Sequence, residues 1–193
     1  VPQNSSRRDY VGTALYRGRT DAYFSDVTSK SNAFLTGWTM GVTFADYDAD
    51  GDADLYATRW GPDVLLGNNG DGTFSDHTES SGLGSTRWGI GASFADFDLD
   101  GDLDLYVANY IDFTLGGPPF YDQWCTHNGV PAACGPVGAA AQADLFYRNE
   151  GQGDFTEISA EVGLTGRSYY GMGVLWTDYD NDGDPDLYVA NDG

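Results

Sequence analysis

Apolar residues along this chain come in short runs separated by Gly, Asn and Asp, and no run keeps helical spacing for long. Gly41 to Ala45 leads into a polar stretch, Asp54 to Thr58 leaves it, Val64 to Gly67 follows, and Thr73 to Thr78 comes after an Asn68–Gly72 turn. Runs of this length, rich in β-branched and aromatic residues and bounded by turn formers, predict strands. The Asn69-Gly70 and Asp71-Gly72 pairs are hairpin signals, because these residues accept the positive φ of a tight turn.

The pattern repeats. The turn Asn68-Asn69-Gly70-Asp71-Gly72-Thr73-Phe74-Ser75-Asp76 recurs as Asn149-Glu150-Gly151-Gln152-Gly153-Asp154-Phe155-Thr156-Glu157, and in degraded form as Gly18 to Asp26. Phe24 lies 22 residues before Asp46, Phe74 lies 22 before Asp96, and Phe155 lies 23 before Asp178. Four short strands per roughly 50 residues is the signature of a β-propeller blade. The fold class expected is therefore all-β, with propeller-type four-stranded blades. An N-terminal extension, 1–14, precedes a single repeat domain, 15–193. Within it lie a half repeat at 15–28, a repeat at 39–78, a repeat at 89–158 with an insertion at about 110–143, and a half repeat at 171–191. That makes about three blade equivalents with a split blade at the two termini, whereas a ring needs roughly four to eight. Asp186 to Asn191 is left as an open edge, and unpaired edges invite pairing with another chain. Two explanations follow: a piece of a longer propeller, or chains that join head to tail into a ring or fibre.

Each repeat carries the same acidic loop, D-x-D-x-D-G-x-x-D. The first holds Asp46, Asp48, Asp50, Asp52 and Asp54; the second Asp96, Asp98, Asp100, Asp102 and Asp104; the third Asp178, Asp180, Asp182, Asp184 and Asp186. Carboxylates at alternate positions converge on one cation as the backbone curls, and the glycine permits the sharp turn. An all-oxygen set suits Ca²⁺, which takes about 6–8 oxygen ligands in flexible geometry. Three Ca²⁺ sites are expected, with Asp52, Asp102 and Asp184 offering the carbonyl that follows the glycine. An EF-hand is excluded, since it needs Glu at the twelfth position between helices, and here the flanks are strand-like.

Charge then narrows the function. The chain has 30 acidic against 9 basic residues, and half of the acids sit in the three loops. Three divalent ions would take the formal charge from −21 to −15. A surface of this sign is unsuited to nucleic acid or to anionic lipid. No apolar run is long enough to span a membrane. The first residue is Val, which reads as a processed mature form or an excised segment. Cys125 and Cys134 lie in a Pro/Gly-rich stretch; a disulfide closing that loop is the preferred reading, with free thiols the alternative. Trp38, Trp88 and Tyr170 stand at matching places before glycine-rich segments and are expected to pack between blades. His77 is expected to be a strand residue.

These loops and turns resemble the FG-GAP (VCBS-type) calcium-binding repeats of integrin α-subunit propellers. The insertion adds a closer likeness, to the secreted cartilage acidic protein-like family: Asn109-Tyr110-Ile111-Asp112-Phe113, then Cys125, then Cys134-Gly135-Pro136, then Asp144 to Asn149. The resemblance implies a propeller, calcium and an extracellular address; it does not imply an enzyme. Neither G-x-S-x-G nor H-E-x-x-H occurs. The function expected is an extracellular calcium-binding structural or assembly protein that associates with itself through exposed half-blades. The alternative is a fragment of a larger propeller acting as an adhesion module for a protein or carbohydrate, with Phe113, Phe120, Tyr121 and Trp124 as its surface. A calcium-dependent polysaccharide lyase is a more distant reading.

Overall fold

The computed structural model describes residues 12–113, 124–133, 136, 138–165 and 168–192. β1 (Tyr16–Gly18) and β2 (Phe24–Asp26) form a two-stranded sheet, followed by the single-turn helix α1 (Thr28–Ser31). β3 (Trp38–Ala45), β4 (Asp54–Trp60), β5 (Val64–Asn68) and β6 (Phe74–Asp76) form a four-stranded sheet in sequence order, and α2 (Thr78–Ser81) follows. β7 (Gly89–Ala95) and β8 (Asp104–Asn109) open a second such sheet. The separate hairpin of β9 (Trp124–His127) and β10 (Val130–Ala133) interrupts it, and β11 (Leu145–Asn149) and β12 (Phe155–Glu157) complete it. β13 (Gly171–Thr177) and β14 (Asp186–Asn191) form a last two-stranded sheet. Every pairing is antiparallel, so the fold is all-β, and among the described residues the sheets do not close into a ring. No helix among them is long and apolar enough to cross a membrane.

The first strands of successive sheets lie side by side, and glycine makes this possible. A Cβ on Gly41 would sit 2.2 Å from the carbonyl oxygen of Ile90, and one on Gly91 would sit 2.3 Å from that of Met172. The glycine-rich segments seen in the sequence are thus close backbone approaches between β3, β7 and β13. Bulges at Thr39/Gly41, Gly89/Gly91 and Gly171/Gly173 fall at the same place in each sheet.

The sheets stack face to face with apolar layers between them. Tyr56 and Leu65 of the first sheet, Leu105, Val107, Leu145 and Tyr147 of the second, and Leu83 from the connector share one buried cluster. Tyr106, Ala108 and Phe146 meet Val174, Trp176, Leu187 and Val189 across the next layer. Leu15 and Leu35 cover Leu55, Val64, Leu66 and Phe74 on the other side. β4 and β8 are consequently buried on both faces, whereas the ends of the stack expose apolar side chains: Met40, Val42 and Phe44 on β3, Leu175 and Tyr188 on the last sheet.

The fourth strand is shorter than the expected 73–78. Asp76 Oδ1 accepts the Thr78 amide at 3.0 Å and turns the chain into α2, and the Thr78 hydroxyl in turn accepts the Leu65 amide at 3.0 Å. The same exchange links Ser159 to Phe146 at 2.8 Å and Thr28 to Leu15 at 2.8 Å. His77 therefore lies just outside β6, not within a strand, and its Nδ1 is 2.8 Å from the Tyr47 hydroxyl. The β9–β10 hairpin is a further departure; its turn places Asn128 at φ 51° and Gly129 at φ 80°, the conformation that Asn-Gly favours.

Candidate metal centres

Each acidic loop joins the first two strands of its sheet, and the three adopt one backbone path. The fourth loop residue has a left-handed φ in every copy, at 57° for Ala49, 60° for Leu99 and 62° for Asn181. The glycine two places later follows at 96°, 101° and 97° for Gly51, Gly101 and Gly183. Its amide donates to the first aspartate: Gly51 to Asp46 at 3.0 Å, Gly101 to Asp96 at 3.1 Å, Gly183 to Asp178 at 3.1 Å.

This curl gathers carboxylates. Asp46, Asp48 and Asp50 bring one oxygen each within 4.8 Å of one another, as do Asp96, Asp98 and Asp104, and Asp178, Asp180 and Asp186. The first and third loop positions meet in every copy. The third member is the fifth position in the first loop and the ninth in the others. Asp54, Asp100 and Asp182 stand outside these groups, and so do the side chains of Asp52, Asp102 and Asp184. Asp50, Asp100 and Asp182 each accept the amide two residues on, at 2.9, 2.9 and 3.0 Å.

The donor set fits a divalent cation. It is all oxygen, the arrangement that hard ions such as Ca²⁺ take. Three like charges within this distance repel unless a cation or protons intervene. Asp46 Oδ1 is moreover buried without a hydrogen-bond partner, which costs free energy that a metal bond would offset. Asp46, Asp48 and Asp50, Asp96, Asp98 and Asp104, and Asp178, Asp180 and Asp186 are the residues that would hold the ions.

The ninth aspartate ties loop to turn. Asp54 accepts Tyr47 N–H at 3.2 Å and Asn68 N–H at 2.7 Å. Asp104 accepts Phe97 N–H at 2.9 Å and Asn149 N–H at 2.9 Å. Burial pushes the Asp104 carboxyl up to about 6, against the pull of the Asn149 and Phe97 amides, and the charges of Asp98 and Asp100 push the same way as burial. Asp54 is raised for the same reasons. A cation in the loop would reverse that balance.

Two functional-looking aspartates escaped the sequence reading. Asp63, fully buried, accepts the Tyr56 hydroxyl at 2.9 Å and the Arg59 amide at 2.8 Å. Asp144 accepts the Tyr106 hydroxyl at 2.6 Å and the Asn109 amide at 2.7 Å. Burial drives Asp63 up to about 7, although the Arg59 amide and the Tyr56 hydroxyl hold it down. Each stands one residue before the third strand of its sheet, five residues before the turn asparagine. That repeated D-x-x-x-x-N spacing was the available signal.

At the strand ends opposite the loops the aromatic rings form a row. Trp38 stacks near Trp60 with centroids 4.9 Å apart, Trp60 and Trp88 each meet Phe113 at 5.5 and 5.4 Å, and Trp88, Tyr110 and Tyr170 continue at 5.5 and 6.1 Å. Trp38 and Tyr170 thus contact rings from their own or the adjacent sheet, and Trp38 stays half exposed. Of the insertion's aromatics, Phe113 joins the row. Phe120 and Tyr121 lie outside the described residues. So does Cys134, and with it the expected pairing to Cys125 on β9.

No curated protein matches the chain. A family model for FG-GAP-like repeats matches residues 47–107 and 137–189, which takes in the last three strands of the first four-stranded sheet and nearly all of the second, and reaches into β14. These stretches make up more than half of the 193 residues, and the chain belongs to the FG-GAP-like repeat family.

Proposed function

We propose that this is an extracellular calcium-binding module of β-propeller type, with a structural rather than an enzymatic role, whose aspartate loops lock its sheets and whose open sheet edges are its means of association. The observation that carries the reading is the threefold loop with convergent carboxylates, together with the orphaned oxygen of Asp46. In each sheet the loop joins the first two strands. An ion held there ties the folding of the hairpin to calcium. Extracellular calcium is abundant enough for such exposed sites. Within the family, the loop set and the insertion residues quoted above favour the cartilage acidic protein-like branch.

The terminal sheets support association. β1–β2 occupies the place that β5–β6 takes in the first sheet, and β13–β14 that of β3–β4. Head-to-tail self-association into a polymer or ring is one form this takes. Light scattering in calcium and in chelator tests it: assemblies that dissolve on chelation support it, and a monomer in both conditions rejects it.

A second reading, an adhesion or carbohydrate-binding module within a larger propeller, draws on the row from Trp38 to Tyr170. Quenching of tryptophan fluorescence by oligosaccharides would favour it.

A further inference from the structure

We infer that the row of rings from Trp38 to Tyr110 is a path for an electron hole: a one-electron oxidant that reaches Trp38 ends by oxidising Tyr110, whose proton passes to Asp192.

The oxidisable rings touch in sequence. Centroids lie 4.9 Å apart from Trp38 to Trp60, 6.4 Å from Trp60 to Trp88 and 5.5 Å from Trp88 to Tyr110. All three steps fall in the range of about 4.5–7 Å at which aromatic pairs are in contact, and an electron crosses such a contact without a mobile carrier. Phe113 fills the corner between Trp60 and Trp88 and is too hard to oxidise to hold the hole itself. Of the four rings on the path only Trp38 is exposed, at 52%, and the others are half-buried. The oxidant therefore meets Trp38 first.

Proton acceptors decide where the hole stops. An indole radical cation comes to rest by handing its N–H proton to a base. Trp60 Nε1 donates to the Phe113 carbonyl at 3.2 Å, which is a weak base. Trp88 Nε1 is buried without a partner. A positive charge on Trp88 would be out of water and unpaired, which costs free energy, so the hole moves on. Tyr110 differs, because its hydroxyl donates to Asp192 Oδ2 at 2.6 Å, a short bond to a carboxylate. Burial, reinforced by that bond, pushes the Tyr110 phenol up to about 12. It therefore keeps its proton until its electron leaves. Tyr170 is the next ring, at 6.1 Å, but its hydroxyl donates to the Ala139 carbonyl at 3.1 Å, which takes no proton.

Trp38 gives one electron to the oxidant, an inorganic radical that leaves as its anion. Trp60 refills Trp38, Trp88 refills Trp60, and Tyr110 refills Trp88. The Tyr110 proton moves to Asp192 Oδ2, leaving a neutral tyrosyl radical beside a neutral carboxyl. Trp176 has a comparable pair near it, Tyr106 with Asp144. Phe146 stands between them, with centroids 5.8 Å from Trp176 and 6.1 Å from Tyr106, so that route lacks the continuous oxidisable rings of the row.

Pulse radiolysis of the full chain with the azide radical, which oxidises tryptophan in preference to tyrosine, tests the path. We expect the tryptophan radical to convert to a tyrosyl radical at a rate independent of protein concentration. Trp88→Phe, which keeps an aromatic ring in place and breaks the path, should lose that conversion, and so should Tyr110→Phe. Asp192→Asn keeps a hydrogen-bond acceptor but no base, and should slow the conversion. Asp192 lies just past β14 and is half-buried, so this variant keeps the fold whatever the aromatic substitutions do. Conversion that persists in Trp88→Phe or Tyr110→Phe overturns the inference, because the hole then runs elsewhere, by way of Trp176 and Tyr106 first of all. A rate that rises with protein concentration overturns it in favour of transfer between molecules. A native tryptophan radical that decays without a tyrosyl product, or an Asp192→Asn rate equal to the native one, overturns it as well.

Discussion

Asn149 donates its side-chain N–H to the carbonyl of Tyr47 at 2.8 Å, across 102 residues of chain. Its backbone amide meanwhile serves Asp104. One residue in the turn of the second sheet thus holds the acidic loop of the first sheet and that of its own. Its counterpart Asn68 stays within its own sheet, giving its side-chain N–H to Ala53 at 2.9 Å.

Asn149→Ala should therefore act on two loops. It leaves the Tyr47 carbonyl unmet at a buried place, a loss of about 1–3 kcal/mol. We expect a larger fall in Tm than for Asn68→Ala, and weaker calcium binding at the first and second sites with the third unchanged. Calorimetric calcium titration of the two variants checks this; equal losses would show that the bridge between sheets carries no weight.

Gly91→Ala tests the close approach of the first strands. Its new methyl would lie 2.3 Å from a backbone oxygen, and a backbone cannot swing away as a side chain can. Overpacking of this kind costs about 1–3 kcal/mol. At Gly173 the nearest atom is the Ala190 methyl at 3.7 Å, so Gly173→Ala should be nearly neutral. Thermal melts of both variants distinguish a packing constraint from a general intolerance of these strands to substitution.

The loops, the hairpin turns and the repeat interval were legible because each rests on local chemistry: alternate carboxylates, Asn-Gly and Asp-Gly turns, short apolar runs. Asp63 was not, since an Asp before an apolar run reads as a turn former until the fold brings the Tyr56 hydroxyl to it. The roles of Trp60 and Tyr110 were hidden for the same reason: they close strands whose ends meet Trp38, Trp88 and Tyr170 only across a sheet. The convergence at the ninth loop position also differs between copies, with Asp104 and Asp186 joining their groups and Asp54 standing aside, although the sequence pattern is identical.

The raised Asp63 carboxyl makes a signed prediction for pH. An unfolded Asp loses its proton near about 4, whereas the folded one holds it to about 7. Across that window the folded state binds more protons, so this group's contribution to stability falls as pH rises and levels off above it. Asp63→Asn does not titrate and keeps an acceptor for the Arg59 amide. The Tm of the native chain relative to this variant should drop by several degrees from about pH 4 to 7. The loop carboxylates are common to both proteins and cancel. A constant difference would mean that Asp63 is ionised throughout.

Calcium should be worth a definite amount per loop. A ligand at a hundredfold excess over its Kd stabilises the folded state by about 2.7 kcal/mol per site, and each kcal/mol moves Tm by about 2–4 °C in a domain of this size. Chelation should therefore lower Tm by roughly 5–10 °C for each site emptied. Asp98 sits at the third position of its loop, exposed, in the group with Asp96 and Asp104. Asp98→Ala removes a ligand without disturbing the buried hydrogen bonds of Asp104. We expect titration calorimetry to fall from three sites to two and the chelator-induced drop to shrink by about a third. The other loops keep their carboxylates and should keep their affinities. A melt indifferent to chelator in the native chain would reject structural calcium outright, while loss of all sites in Asp98→Ala would mean that the loops bind as one cooperative unit, not as three independent clamps.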